Sequence, residues 1–399
     1  MFLGLLIITL VIVFSVVELV AIFIVWCENK FFFEDVSRKD YIDKEYHNYL
    51  NWVENWDKPM FRYIPVGFRI FNNDNPISEK VQNNSLGYRC PEFSERKNDV
   101  MRIAVVGGSA AWGCGSSSNS TTIAGYLEST INNKSSMLDH YKCKSVESFN
   151  LAQVNATQTH DILTLSLYAI KVRPQIVISF TGWNELVTNK GYKKEILENY
   201  GIFYLQELEG WESDDLTGNK KKFLKKYFKL WCVDKFTSLR RFKLIGREFE
   251  RSHSLGNISE RIEIGGKIFL ENLTRMQALS KAYGFDHIQV FQPNVYRKKN
   301  LTESEVKIID LYDNVRQVHG GSELGDYLRE NNIYKSIIDE VQKFPQKYGN
   351  YLDLSDIFMN EKDSMFFTLV HLRDVGYQKV AEKITKFLLK NKSKLVVQS

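Results

Sequence analysis

Three residues in this chain have the types that acyl-transfer chemistry uses. Ser109 lies in Gly107-Gly108-Ser109-Ala110-Ala111-Trp112-Gly113, directly after the apolar run Ile103-Ala104-Val105-Val106. Asn184 lies in Gly182-Trp183-Asn184-Glu185, after a second apolar run at 175–181. His371, one of seven histidines, lies in 367–377, just ahead of a terminal stretch with helical spacing. A serine acts as a nucleophile only with a base in hydrogen-bonding reach and donors for the oxyanion that forms on attack. A glycine-rich strand end can instead hold a phosphate. That use calls for G-x-G-x-x-G or G-x-x-x-x-G-K-[ST], and neither is present around Ser109. Taken singly, each stretch has a plain reading: a glycine turn with an incidental serine, and a histidine that caps or packs a helix.

The elements that must position these residues follow from apolar spacing. Ile103, Val105 and Val106 are β-branched, so 103–106 reads as a strand buried on both faces of a parallel sheet. Gly107 and Gly108 permit a sharp turn that presents Ser109 at the carboxyl edge of that sheet, ahead of a helix at 123–131. Further strands are predicted at 146–151, 175–181 and 288–291 and within 351–358. Helical spacing recurs at 268–283, 304–318, 327–344 and 375–389. This alternation predicts an α/β fold, a three-layer sandwich with a five-stranded parallel sheet. The strand ends carrying Ser109 and Asn184 would then open onto one crevice. Residues 186–265 break the alternation and are expected to form a mainly helical insertion. Within it, 220–243 mixes lysines and arginines with aromatics. That segment reads either as a solvated helix with one packed face or as a surface for anionic lipid headgroups or an acidic polymer.

At 399 residues and 44% hydrophobic content the chain can build a substantial core. Its five cysteines show no C-x-x-C spacing, so no zinc site or disulfide framework is read from them, and no metal or cofactor is expected. A net charge of +5 without a recognisable binding motif argues against nucleic acid as a partner. Residues 1–26 are apolar apart from Thr9, Ser15 and Glu18, and a span needs roughly 20 such residues. The expected organisation is a single-pass anchor at 1–27, an aromatic and charged lead-in at 28–100 that packs on the main domain, and the main domain at 101–399. The flanking charges alone do not orient the anchor.

In order and spacing, the three motifs resemble those of the SGNH hydrolases, also called GDSL-type esterases and lipases. The segment 107–113 matches the family's Gly-Asp-Ser-x-x-x-Gly, and 182–185 matches Gly-x-Asn-Asp. The segment Thr368-Leu369-Val370-His371 matches Asp-x-x-His in the histidine only. The anchor, the aromatic lead-in and Asn84-Ser85-Leu86-Gly87-Tyr88-Arg89 are similar to anchored members associated with bacterial surface polysaccharides.

The resemblance implies a flavodoxin-like strand order for the five-stranded sheet, with Ser109 as nucleophile and His371 as its general base. It implies an oxyanion site made from the Ser109 N–H, the Asn184 amide and a backbone N–H at Asn155, with Ala152 as the other match for that last donor. Gly107, Gly108, Gly113 and Gly182 would shape the site. Thr368 stands where the family carries the aspartate that orients the histidine. Three readings follow: Thr368 or a backbone carbonyl orients the ring, a carboxylate such as Asp363 or Asp374 does so, or the site is weakened and serves binding. The implied function is a serine esterase that removes O-acyl groups, O-acetyl foremost, from a carbohydrate or envelope glycan through an acyl-enzyme. The rivals are an O-acyltransferase with the same site and a non-catalytic membrane-bound glycan-binding or assembly protein. The same resemblance places the domain outside the cytoplasm, in the periplasm or beyond the cell.

Overall fold

The computed structural model describes residues 9, 12–20, 22–23, 41, 43–44, 61–64, 68–71, 80–154, 156–187, 258–315 and 322–391. Most of the lead-in, most of the insertion at 186–265, the basic and aromatic segment at 220–243, and Asn155 lie outside them. The chain divides into two compact units. One is Met1–Ser37 with Gly191–Lys193 and Tyr204–Gly256; the other is Arg38–Lys190 with Lys194–Phe203 and Asn257–Ser399. In the first unit residues 12–20 are helical. Among the described residues no helix is long and apolar enough to cross a membrane.

The second unit carries seven described strands. β1 (Phe61–Ile64) and β2 (Phe68–Phe71) form an antiparallel pair. β3 (Val100–Gly107), β4 (Ser145–Asn150), β5 (Ile176–Thr181), β6 (Asp286–Phe291) and β7 (Asn350–Asp353) form a parallel sheet in the order β4-β3-β5-β6-β7. Read as second, first, third, fourth, fifth, this is the flavodoxin-like order predicted from the sequence. Its switch point falls between β3 and β5, and open α/β sheets bind ligands at the carboxyl ends of the strands there.

Alternation along the strands divides the core into two. Ile103 and Val105 pack in one cluster with Ile178, Leu127 and Ile384, while Ala104 and Val106 pack in another with Val177, Leu165 and Val172. Every residue of β3 is buried, as a strand covered on both faces requires. Helices Ile123–Asn132 and Asp374–Lys390 therefore pack on one side, and helix Gln158–Val172 on the other.

Some boundaries differ from the sequence reading. The helix expected from residue 268 starts ten residues earlier and runs over Ile258–Tyr283, eight residues into the expected insertion, with Ile258, Ile262, Phe269, Leu273 and Met276 continuing one buried face. Gly265 lies within it because a Cβ there would collide with the Glu185 carbonyl. Close approach to the Asn184 turn outweighs the helix propensity that glycine lacks. The stretch expected as one helix at 327–344 is two, Ser322–Glu330 and Lys335–Lys343. The Asn332 side chain accepts the Tyr334 N–H between them, and a side chain that takes a backbone donor in this way favours a turn over a continued helix.

Candidate active site

Ser109 opens a four-residue helix, Ser109–Trp112, directly beyond β3. At Gly107 the backbone turns with φ +141°, and a Cβ there would sit against the Phe180 carbonyl of β5. At Gly108 a Cβ would stand 2.5 Å from the Asn184 amide nitrogen, so only glycine lets the two strand ends close on each other. Gly113 and Gly182 also take positive φ, +94° and +124°.

The carbonyls at the far end of this short helix are met by Arg89, which is 2% exposed. Its guanidinium donates to the Gly113 carbonyl at 2.8 Å, Ser116 Oγ at 3.0 Å and Asn119 Oδ1 at 3.0 Å, and it lies over the Trp112 ring. The Tyr377 hydroxyl donates to the Cys114 carbonyl at 2.8 Å. Without such partners the terminal carbonyls of a buried helix would be costly.

His371 reaches the serine from a hairpin. Phe366 bridges Leu372, Arg373 N–H donates to the Met365 carbonyl at 2.9 Å, and Phe367 N–H donates to the His371 carbonyl at 2.7 Å. His371 Nε2 lies 2.7 Å from Ser109 Oγ, and its Nδ1 lies 2.7 Å from Thr368 Oγ1. Both Ser109 and His371 are half-buried, within reach of a ligand. For Nε2 to accept the serine proton, Nδ1 must carry the ring N–H and donate it to Thr368 Oγ1. That oxygen also accepts the His371 backbone N–H at 3.3 Å. The structure therefore brings Thr368 onto Nδ1. Asp374 is committed to the Ser117 N–H at 2.9 Å and Oγ at 2.5 Å, and the exposed Asp363 offers its main-chain carbonyl to Lys298 at 2.7 Å.

Asn184 stands on the short helix Trp183–Leu186 beyond β5, with one amide N–H donated to the Ala156 carbonyl at 2.7 Å. A side-chain amide carries two N–H donors. Ala152 N–H, the alternative oxyanion donor, is taken by Asn150 Oδ1 at 3.2 Å. Asn155 lies outside the described residues.

Beneath this arrangement sit two carboxyl groups that sequence reasoning did not assign. Glu185 is buried and accepts the Gly182 N–H at 3.0 Å and the Gln158 N–H at 2.6 Å. Burial pushes its carboxyl up to about 7, against the pull of those backbone donors. Asp161 is buried beside it and takes a hydrogen bond from the Gly107 N–H. Burial, and then the charge of Glu185, raise the Asp161 carboxyl well above its ordinary range. One carboxyl thus grips the turn before the serine, and the other grips the turn before the asparagine. The position of Glu185 beside Asn184 in the motif was the available signal; Asp161 carried none. Among the described residues no cluster of histidine, cysteine or carboxylate side chains has the arrangement of a metal site.

The chain matches no family model and no curated protein. Among solved structures it aligns with a two-domain esterase active on acetylated mannans, at 12% identity and a TM-score of 0.35, over 75% of this chain and 51% of that one. It also aligns with an acetyl xylan esterase at 11% identity and a TM-score of 0.30, over 72% of this chain and 100% of the other. A third is a GDSL-like lipase from Bacteroides thetaiotaomicron, at 11% identity and a TM-score of 0.33, over 75% of this chain and 92% of the other. The chain spans about half the length of the two-domain esterase. At these TM-scores the overlaps are loose, and the chemistry of this chain has to be read from its own residues.

Proposed function

We propose that this chain is a serine esterase of the SGNH type, acting on O-acyl groups, O-acetyl foremost, of a carbohydrate or envelope glycan. The observation that carries the reading is the line Ser109 Oγ, His371 Nε2, His371 Nδ1, Thr368 Oγ1, with 2.7 Å at each hydrogen bond and the Asn184 amide across Gly108. Ser109 Oγ attacks the ester carbonyl as His371 Nε2 takes its proton. The Ser109 N–H, which as the first of its helix has no acceptor in a preceding turn, and the Asn184 amide hold the oxyanion. His371 then returns the proton to the departing sugar oxygen, leaving an acyl-enzyme. Water, activated by the same ring, releases the acid. A sugar hydroxyl entering in place of water would make the reaction an acyl transfer.

Thr368 keeps the ring in the tautomer that this sequence of steps needs. It supplies no charge to the imidazolium, which an aspartate would. Loss of that charge slows the reaction and leaves its geometry intact.

Treatment of the full chain with a serine-directed fluorophosphonate tests the proposal. Modification confined to Ser109, and abolished in His371→Ala, is expected. Folded protein that never labels at Ser109 would remove the nucleophile. The substrate class rests on the sequence resemblance. Attachment to a membrane through 1–27 rests on the apolar run at 1–26, and the placement of the domain outside the cytoplasm rests on the sequence resemblance. A carboxyl-terminal reporter active only in the cytoplasm would contradict that placement.

A further inference from the structure

Beneath the histidine hairpin lies an ion pair, Lys298 with Glu305, whose two side chains are both fully buried. The Glu305 carboxylate does more than pair. Its Oε1 accepts the Met365 N–H at 2.9 Å and the Phe366 N–H at 3.3 Å. Its Oε2 accepts from Lys298 and from the Thr302 N–H at 3.0 Å. Lys298 Nζ donates in turn to the Asp363 carbonyl at 2.7 Å. Together the pair fixes three points of 363–366, the segment that enters the hairpin. From there the main chain runs to His371 within one turn, through the Phe366–Leu372 bridge and the Phe367 N–H on the His371 carbonyl. On the exit side, Arg373 Nε donates to the Phe366 carbonyl at 3.1 Å, and the same guanidinium pairs with Asp43.

A buried ion pair contributes little net stability compared with well-packed apolar side chains, so stability alone is a weak reason for this one. We infer that Glu305, held by Lys298, is a positioning residue for His371: a carboxylate that places the base through the main chain of its hairpin, while the neutral Thr368 touches the ring. The inference rests on the esterase reading for its catalytic meaning. Since Lys298 already neutralises Glu305, the pair contributes geometry to the histidine and no charge.

The test uses the full chain, Glu305→Gln, and the double variant Lys298→Met with Glu305→Met. The double variant replaces the pair by apolar side chains of similar volume and leaves the Met365 and Phe366 N–H groups without the carboxylate. Two quantities are read: turnover of a small activated acetyl ester, and the ring nitrogen shifts of His371 in protein labelled with 15N-histidine, assigned by their loss in His371→Asn. The expected result is kcat lowered by about 10²-fold with KM within about 2-fold, as a displacement of roughly 1 Å gives. The Nδ1–H tautomer signature of His371 is expected to be lost in both variants. A merely structural role would lower the melting temperature and leave kcat and the ring shifts in place. Should Glu305→Gln fail to fold, the double variant decides. Wild-type kcat and ring shifts in a folded variant would overturn the inference. A parent that turns over no ester, yet whose His371 signature disappears in the variants, would overturn the esterase reading and leave the positioning role standing.

Discussion

At the scale of single residues, the site turns on what a hydroxyl can do in place of a carboxylate. Thr368 Oγ1 receives two N–H donors from one histidine, one from the ring at 2.7 Å and one from the backbone at 3.3 Å. Thr368→Val keeps the shape of the side chain and removes both acceptances. A buried donor left unanswered costs about 1–3 kcal/mol. If that cost falls on the transition state, kcat drops by about 10- to 100-fold while KM stays close to its original value. Steady-state kinetics on an activated acetyl ester checks this, and an unchanged kcat would show that Thr368 does not orient the ring. The sequence displayed Thr368 as a departure without showing its consequence. Spacing places a residue three before the histidine, and only the hairpin shows that a threonine there reaches Nδ1.

At the scale of elements, the turns that lead to Ser109 and Asn184 are held by buried carboxyls. Glu185 joins the β5 turn to the first turn of helix Gln158–Val172 through its bonds to Gly182 and Gln158. Its carboxyl is pushed from 4.5 to about 7 by burial. Below the lower value it is neutral in the folded and the unfolded chain alike. As pH rises towards 7 the unfolded chain ionises first, so the stability drawn from a neutral buried carboxyl is lost across that window. The size is about 3 kcal/mol. Glutamine does not titrate. The stability of Glu185→Gln relative to the parent should therefore shift in favour of the variant by about that amount between pH 4 and pH 8, as measured by denaturant unfolding. Relief of repulsion with Asp161 acts in the same direction. A difference that stays constant with pH would place the Glu185 charge elsewhere. The pairing of these carboxyls was not legible in the sequence, because Asp161 and Glu185 become neighbours only when helix Gln158–Val172 packs beside β5.

At the scale of the whole molecule, the parts that could be read ahead were those fixed by local pattern. Apolar runs gave the five parallel strands, and glycines at their ends gave the turns. The order β4-β3-β5-β6-β7 then puts Ser109 and Asn184 on either side of the switch point, and the terminal helix brings the histidine hairpin across to them. The parts that could not be read are long-range and polar: Arg89 under the serine helix, Glu305 under the histidine hairpin, and the start of helix Ile258–Tyr283. Each depends on a partner dozens of residues away or more, or on a close approach that no local spacing encodes. The proposed esterase activity requires this topology to assemble one working nucleophile. Hydrolysis of a small activated acetyl ester by the full chain, set beside Ser109→Ala and His371→Ala, tests it most directly. Turnover above background is expected in the parent and is expected to be lost in both variants. Turnover retained in Ser109→Ala, or absent from the folded parent, would contradict it.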